Sequence, residues 1–163
     1  MFIGVVSDTH NNLKNINIII SLFNQRKLNL VIHTGDITNA ISLDKFSNLN
    51  CKLYGVYGNN DMNETGLKEV INKYNFKILE PPHEMSINDR KIAIFHEPDP
   101  INKFISTNKD IDIILHGHTH RFREERIGRT LIFNPGESAG FLRGKNAIGV
   151  INLEDLTTER IFF

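Results

Sequence analysis

Phe2-Ile3-Gly4-Val5-Val6-Ser7-Asp8-Thr9-His10 is an apolar run that stops abruptly at an Asp-x-His pair. A run this short and continuous reads as a strand buried on both faces and feeding a polar loop. The same pattern returns twice: Leu30–His33 runs into Thr34-Gly35-Asp36, and Lys52–Tyr57 runs into Gly58-Asn59-Asn60-Asp61. Apolar residues at helical spacing follow each run. Leu13, Ile16, Ile19, Ile20 and Phe23 form the first stripe, with Asn12 placed to cap it. Leu43, Phe46 and Leu49 form a short second one, and Leu67, Val70, Ile71 and Tyr74 a third, opened by Asn63-Glu64. Strand and helix in alternation predict an α/β fold with parallel strands and right-handed crossovers.

The pattern changes after Pro81-Pro82. Glu84–Ile87 and Lys91–Phe95 flank Asn88-Asp89, and Arg121–Ile127 and Thr130–Phe133 flank Gly128-Arg129, as hairpins would. Ile148–Leu153 and Glu159–Phe163 form a third candidate pair. Two facing sheets with helices outside accommodate both halves. No linker, low-complexity segment or repeat divides the chain, so residues 1–163 are expected to form one domain.

Nineteen basic and nineteen acidic residues cancel, which leaves no global field to attract nucleic acid or an anionic membrane. Arg121-Phe122-Arg123-Glu124-Glu125-Arg126 mixes both signs and reads as the solvated side of a strand. The single cysteine, Cys51, excludes an intramolecular disulfide and a multi-thiolate metal site, and is expected to be a buried, inert thiol. The first apolar run has no basic flank and is too short for a signal peptide. No run approaches the roughly 20 residues of a membrane span. A cytoplasmic protein is expected.

Ligands of open α/β sheets bind beyond the carboxyl ends of the strands. The polar residues at those junctions are Asp8 and His10, Asp36, Asn59, His96 after Lys91–Phe95, and His118 and His120 after Ile111–Leu115. All seven are oxygen or nitrogen donors. One ion takes roughly four to six donors, so seven suit two ions sharing a carboxylate. Imidazole, carboxylate and amide without thiolate suit manganese, iron, zinc, nickel or cobalt. Two ions about 3.5–4 Å apart are the usual means of clamping a phosphoryl group and activating water. In extended chain, His118 and His120 would point to the same side. His33 and His116, at strand ends, read as structural histidines, and His83, beside two prolines, as a surface residue. Asp61 reads as orienting a neighbouring donor. Asn39 reads either as support for a donor or as a turn residue.

The order Asp8-Thr9-His10, Gly35-Asp36-Ile37-Thr38-Asn39, Gly58-Asn59-Asn60-Asp61, His96, Gly117-His118-Thr119-His120 resembles the calcineurin-like metallophosphoesterase superfamily. Asn134-Pro135-Gly136 and the short chain look like its small bacterial and archaeal phosphodiesterase branch, over about residues 1–153. The resemblance implies a four-layer α/β/β/α sandwich with two facing mixed β-sheets. It implies a phosphodiesterase acting on a small-molecule phosphate ester, with a metal-bridging hydroxide as nucleophile.

By the same resemblance, Asp8, His10, Asp36 and His120 hold one divalent ion. Asp36, as a bridge, with Asn59, His96 and His118 holds the other. Manganese is the first expectation, with nickel, iron, zinc, cobalt or magnesium as alternatives. Two such ions outweigh both carboxylates and the hydroxide, so a neutral protein acquires a cationic pocket. Small relatives often form homodimers or larger homo-oligomers, and a relative in retromer is a scaffold, which gives the alternative of an inactive interaction module. A single structural ion is the third reading.

Many relatives have His where this chain has Asn60, which donates a hydrogen bond but supplies no proton near neutrality. Esters with good leaving groups are therefore expected to be preferred, with Asn60 and Asp61 as the further catalytic residues. Glu97 stands where glycine is common. Arg143 and Lys145 are within reach of a phosphate.

Overall fold

The computed structural model describes residues 1–62 and 64–163. The first sheet has six strands in the order β11-β10-β1-β2-β3-β4. These are β1 (Phe2–Val6), β2 (Leu30–His33), β3 (Lys52–Val56), β4 (Lys77–Leu79), β10 (Ala147–Asn152) and β11 (Thr158–Phe162). β1 through β4 pair in parallel, and the β10–β11 hairpin adds antiparallel to β1. The second sheet runs β5-β6-β7-β9-β8. Its strands are β5 (His83–Ile87), β6 (Arg90–Ile94), β7 (Ile113–Leu115), β8 (Arg123–Ile127) and β9 (Thr130–Asn134). There β6, β7 and β9 are parallel, with an antiparallel strand at each edge. Pro81-Pro82, where the sequence pattern changes, is where the chain leaves one sheet for the other.

Strand alternation sorts the core into three layers. From β1, Ile3 and Val5 join Ile32, Val56, Ile92, Ile94, Ile113, Leu115, Leu131 and Phe133 between the two sheets. Val6, Val31, Leu53, Ile148 and Val150 point the other way, onto the helices of the first sheet. Ala93, Ile114 and Ile132 point outward from the second sheet onto α4 (Ile101–Thr107). Burying each such side chain contributes about 1.5–3 kcal/mol, so the middle layer is what fuses the sheets. The result is the expected four-layer α/β/β/α sandwich.

Among the helices, α1 (Leu13–Gln25) is capped by Asn12, whose side chain accepts the Asn15 amide at 3.1 Å. α2 (Ala40–Lys45) is shorter than its apolar spacing suggested, and a 3₁₀ turn (Phe46–Asn48) completes the stripe. Its cap is Asn39, which accepts the Ser42 amide at 2.8 Å, so Asn39 is a helix-starting residue. α3 (Leu67–Tyr74) begins after Gly66 at φ 88°, not at Glu64, because the chain turns left-handed there. Asn63 lies outside the described residues. β4 and α4 were not expected from the sequence. A three-residue strand and a seven-residue helix without a side-chain cap leave too little periodicity to read. No helix among the described residues is long and apolar enough to cross a membrane.

His33 and His116 are buried and structural, and His83 is half-buried in β5. His33 accepts the Gly35 amide at Nδ1 (3.1 Å) and donates from Nε2 to Thr9 Oγ1 (3.0 Å). It thereby ties the Asp8–His10 loop to the Asp36 loop. Burial pushes the His33 imidazole down to about 3 and the His116 imidazole down to about 4. Below about pH 6.5 the unfolded chain protonates these groups while the folded chain does not, so each costs stability as pH falls. Relative to a His116→Asn variant, the metal-free wild-type protein should lose about 3 kcal/mol between pH 7 and pH 4. Urea unfolding at each pH measures this; parallel curves for the two proteins would refute it.

Candidate metal centre

The parallel strands of both sheets end on the same side, and their following loops lock together. The Asp8 amide donates to Gly35 O (3.1 Å), the His10 amide to Asp36 O (2.9 Å) and the Gly117 amide to His96 O (3.0 Å). Two glycines permit this approach. A Cβ at Gly58 would overlap the Asp36 carboxylate, and one at Gly117 would overlap Ser7 Oγ and reach 2.8 Å from Asp8 Oδ2. Five of the seven expected donors hold left-handed backbone: Asp8 (φ 52°), His10 (44°), Asp36 (58°), His118 (66°) and His120 (56°). Asp and His tolerate this region better than most residues, yet each such position costs on the order of 1–3 kcal/mol. Strain concentrated at the polar loops is the mark of a site held for function.

Side-chain contacts link the seven residues in a row that a backbone amide closes into a ring. His120 Nε2 lies 3.4 Å from His10 Nε2 and 3.7 Å from Asp8 Oδ1. Asp36 turns Oδ2 toward His10 Nε2 (3.9 Å) and Oδ1 toward His96 Nε2 (3.5 Å). Asn59 Oδ1 sits 2.9 Å from His96 Nε2 and 3.1 Å from His118 Nδ1. The His118 amide closes the ring on both Asp8 oxygens at 3.1 Å. Donor atoms of Asp8, His10 and His120, and of Asp8, Asp36 and His96, cluster within 4.8 Å, so Asp8 belongs to both groups while Asp36 faces both. His118 and His120 do not share one side, as extended chain would require. Their left-handed backbone turns one toward Asn59 and the other toward His10.

The remaining ring nitrogens fix what the inward ones carry. His96 Nδ1 meets Thr34 O at 2.8 Å and His120 Nδ1 meets Glu137 Oε2 at 2.8 Å, contacts that require an N–H. In the neutral rings Nε2 of His96 and of His120 is therefore a bare lone pair, the first facing Asp36 and Asn59 and the second facing Asp8 and His10. A cation at the centre would satisfy these lone pairs, and the donor set fits a divalent one. Burial opposes the His96 imidazolium, but Asp36 and the Thr34 carbonyl outweigh it and raise its pKa. Burial likewise opposes the Asp36 anion, yet His96 and two Asn60 donors hold it well below the usual carboxylate range. Asp8 is pushed up by burial, with the Ser7 hydroxyl and the His96 and His120 rings working against it.

The family model for the calcineurin-like phosphoesterase superfamily domain matches residues 1–156. The chain belongs to that superfamily. Phosphodiesterase MJ0936 of Methanocaldococcus jannaschii is 35% identical over 156 residues, covering 94% of each chain. A solved archaeal phosphodiesterase superposes with a TM-score of 0.92 at 33% identity over the full length of both chains. Entamoeba histolytica Vps29 in complex with zinc aligns with a TM-score of 0.70 at 17% identity, over 99% of each chain, a likeness of fold alone.

Within this calcineurin-like frame, two residues escaped the sequence reading, Glu137 and Phe141. Glu137 is fully buried, and its Oε2 receives His120 Nδ1 while Oε1 accepts the Leu142 amide at 2.8 Å. It is the carboxylate that orients the His120 imidazole. Only the need of such an imidazole for an outer partner pointed to it. Beyond Glu137 the chain loops back, and the exposed Phe141 ring covers His120 (5.5 Å, 19°) and His10 (5.1 Å, 43°). Arg143 and Lys145 stand exposed on that loop. Asp61 accepts the Thr38 amide (2.6 Å) and the Gly58 amide (2.7 Å), pinning the Asp36 loop to the Asn59 loop. Asn60 gives its backbone N–H (3.0 Å) and its side-chain amide (2.8 Å) to Asp36. Cys51 is half-buried, and burial raises its thiol pKa.

Proposed function

We propose that the protein is a two-metal phosphodiesterase. The observation that carries this reading is the gathering of seven donors in one place, with the His96 and His120 lone pairs turned toward the carboxylates of Asp36 and Asp8. Asp8, His10, Asp36 and His120 would hold one divalent ion, and Asp36, Asn59, His96 and His118 the other. Bound ions would supply the binding of the phosphoryl oxygens and a bridging hydroxide as the attacking oxygen near neutral pH. Manganese is the first candidate for both positions.

The chain's own groups orient and stabilise. Glu137 keeps the proton of His120 on Nδ1, and Thr34 does the same for His96, so both imidazoles present Nε2. Asn60 has two amide hydrogens; one is committed to Asp36 and the other is free to steady a phosphate oxygen. Asp61 acts as a positioning residue through the two loop amides it holds. In hydrolysis a new P–O bond forms to the water-derived oxygen and the P–O bond to the leaving group breaks. The leaving oxygen departs with its electron pair. Without an acid at position 60, leaving groups that depart unprotonated, such as p-nitrophenolate, should react best.

Release of p-nitrophenolate from bis-p-nitrophenyl phosphate after metal loading tests the reading, with the reaction run in ¹⁸O water. One labelled oxygen in the phosphate product and none in the phenol is expected. Label in the phenol would contradict attack at phosphorus, and absence of turnover with every first-row metal would favour a non-catalytic interaction module.

A further inference from the structure

We propose that the cavity beside His96 and Asn59 is the subsite for one ester substituent of a phosphodiester, an apolar group that carries no negative charge; this rests on the phosphodiesterase reading above. The cavity has a volume of about 320 Å³, within the roughly 300–1,000 Å³ range of small-molecule pockets. Tyr57, Met62, Pro81, Pro82, Phe95 and Pro100 make its walls. Its inner edge is Gly58, Asn59 and His96, so whatever fills it adjoins the donor ring directly. A phosphate held at the ring would project one substituent into an apolar recess of aromatic size.

Charge narrows the class further. Glu80 and Glu97 line the cavity, both exposed, and no Lys or Arg is among the described residues that line it. The cavity also lies at the opposite end of the ring from the loop that carries Arg143 and Lys145, since that loop's Phe141 packs on His10 and His120. A second phosphate or a carboxylate placed in the cavity would therefore meet two anions and no cation. An aryl, alkyl or amine-bearing substituent meets apolar walls and a favourable rim. Glu97 thereby acquires a role in selecting substrates. Pro81-Pro82, the crossing between the two sheets, supplies one wall, so the cavity is built into the junction of the fold.

Symmetric diaryl phosphates place the test charge in the cavity whichever ester enters it. Bis(4-aminomethylphenyl) phosphate should be hydrolysed with a kcat/KM roughly tenfold above that of bis(4-carboxyphenyl) phosphate, mostly through KM. In E80Q/E97Q that ratio should fall at least about threefold, and in E80K/E97K it should invert. Both side chains are exposed, and unchanged melting temperatures would show that the fold is kept. If the variants hydrolyse bis-p-nitrophenyl phosphate but keep the wild-type ratio, the subsite assignment is overturned and the phosphodiesterase reading stands. If the metal-loaded wild-type protein hydrolyses no diester at all, both are overturned.

Discussion

Replacing Asp36 by alanine should lower kcat/KM for bis-p-nitrophenyl phosphate by at least about a thousandfold, because metal-borne charge stabilisation is worth several kcal/mol of transition-state energy. Asp36 divides its two oxygens between both halves of the ring, Oδ1 toward His96 and Oδ2 toward His10. It also receives both Asn60 donors, so its loss frees the group proposed to steady the phosphate. The fold should survive. Asn60 is exposed and can donate to water, and the Asp36 carbonyl still receives the His10 amide. Circular dichroism and thermal unfolding of the metal-free variant check this. Retention of a tenth or more of the activity in a folded variant would remove Asp36 from the centre.

Glu137→Ala should weaken metal binding or activity by about 10–100-fold, the range for losing the outer partner of a metal-binding imidazole. It should also destabilise the protein by about 1–3 kcal/mol, since the Leu142 amide loses its acceptor in a buried setting. Glu137→Gln separates the two effects. Its carbonyl can still accept the Leu142 amide while its side-chain amide donates to His120 Nδ1, which moves the imidazole proton to Nε2. Stability near wild type with weakened metal binding, measured by calorimetric titration, is the expected outcome for Gln. Unchanged metal affinity in both variants would make Glu137 a purely structural residue.

The strand–helix alternation of the first half was legible because buried strands are continuous apolar runs and their helices carry clear stripes. The hairpins were legible from their turns, and Asn88 (φ 50°) and Asp89 (φ 59°) adopt the left-handed pair that such a turn demands. Lys77–Leu79 and Ile101–Thr107 were not legible, since tertiary packing rather than local pattern makes them regular. At the site, the seven donors stood out because each follows an apolar run. What the sequence could not convey was direction. By spacing alone two histidines one residue apart read as neighbours on one face, and only the resemblance assigned them to different ions; left-handed backbone at His118 and His120 aims them at different parts of the ring. Glu137 and Phe141 were hidden for a related reason. Each acts from a loop distant in sequence, through a contact that no spacing encodes.

Titration of metal-free protein with manganese, followed by hydrolysis of bis-p-nitrophenyl phosphate, tests the two-ion centre most directly. Activity should climb to a plateau at about two equivalents per chain, with little turnover at the first. A plateau at one equivalent, or no turnover with manganese, nickel, iron, zinc, cobalt or magnesium, would contradict it.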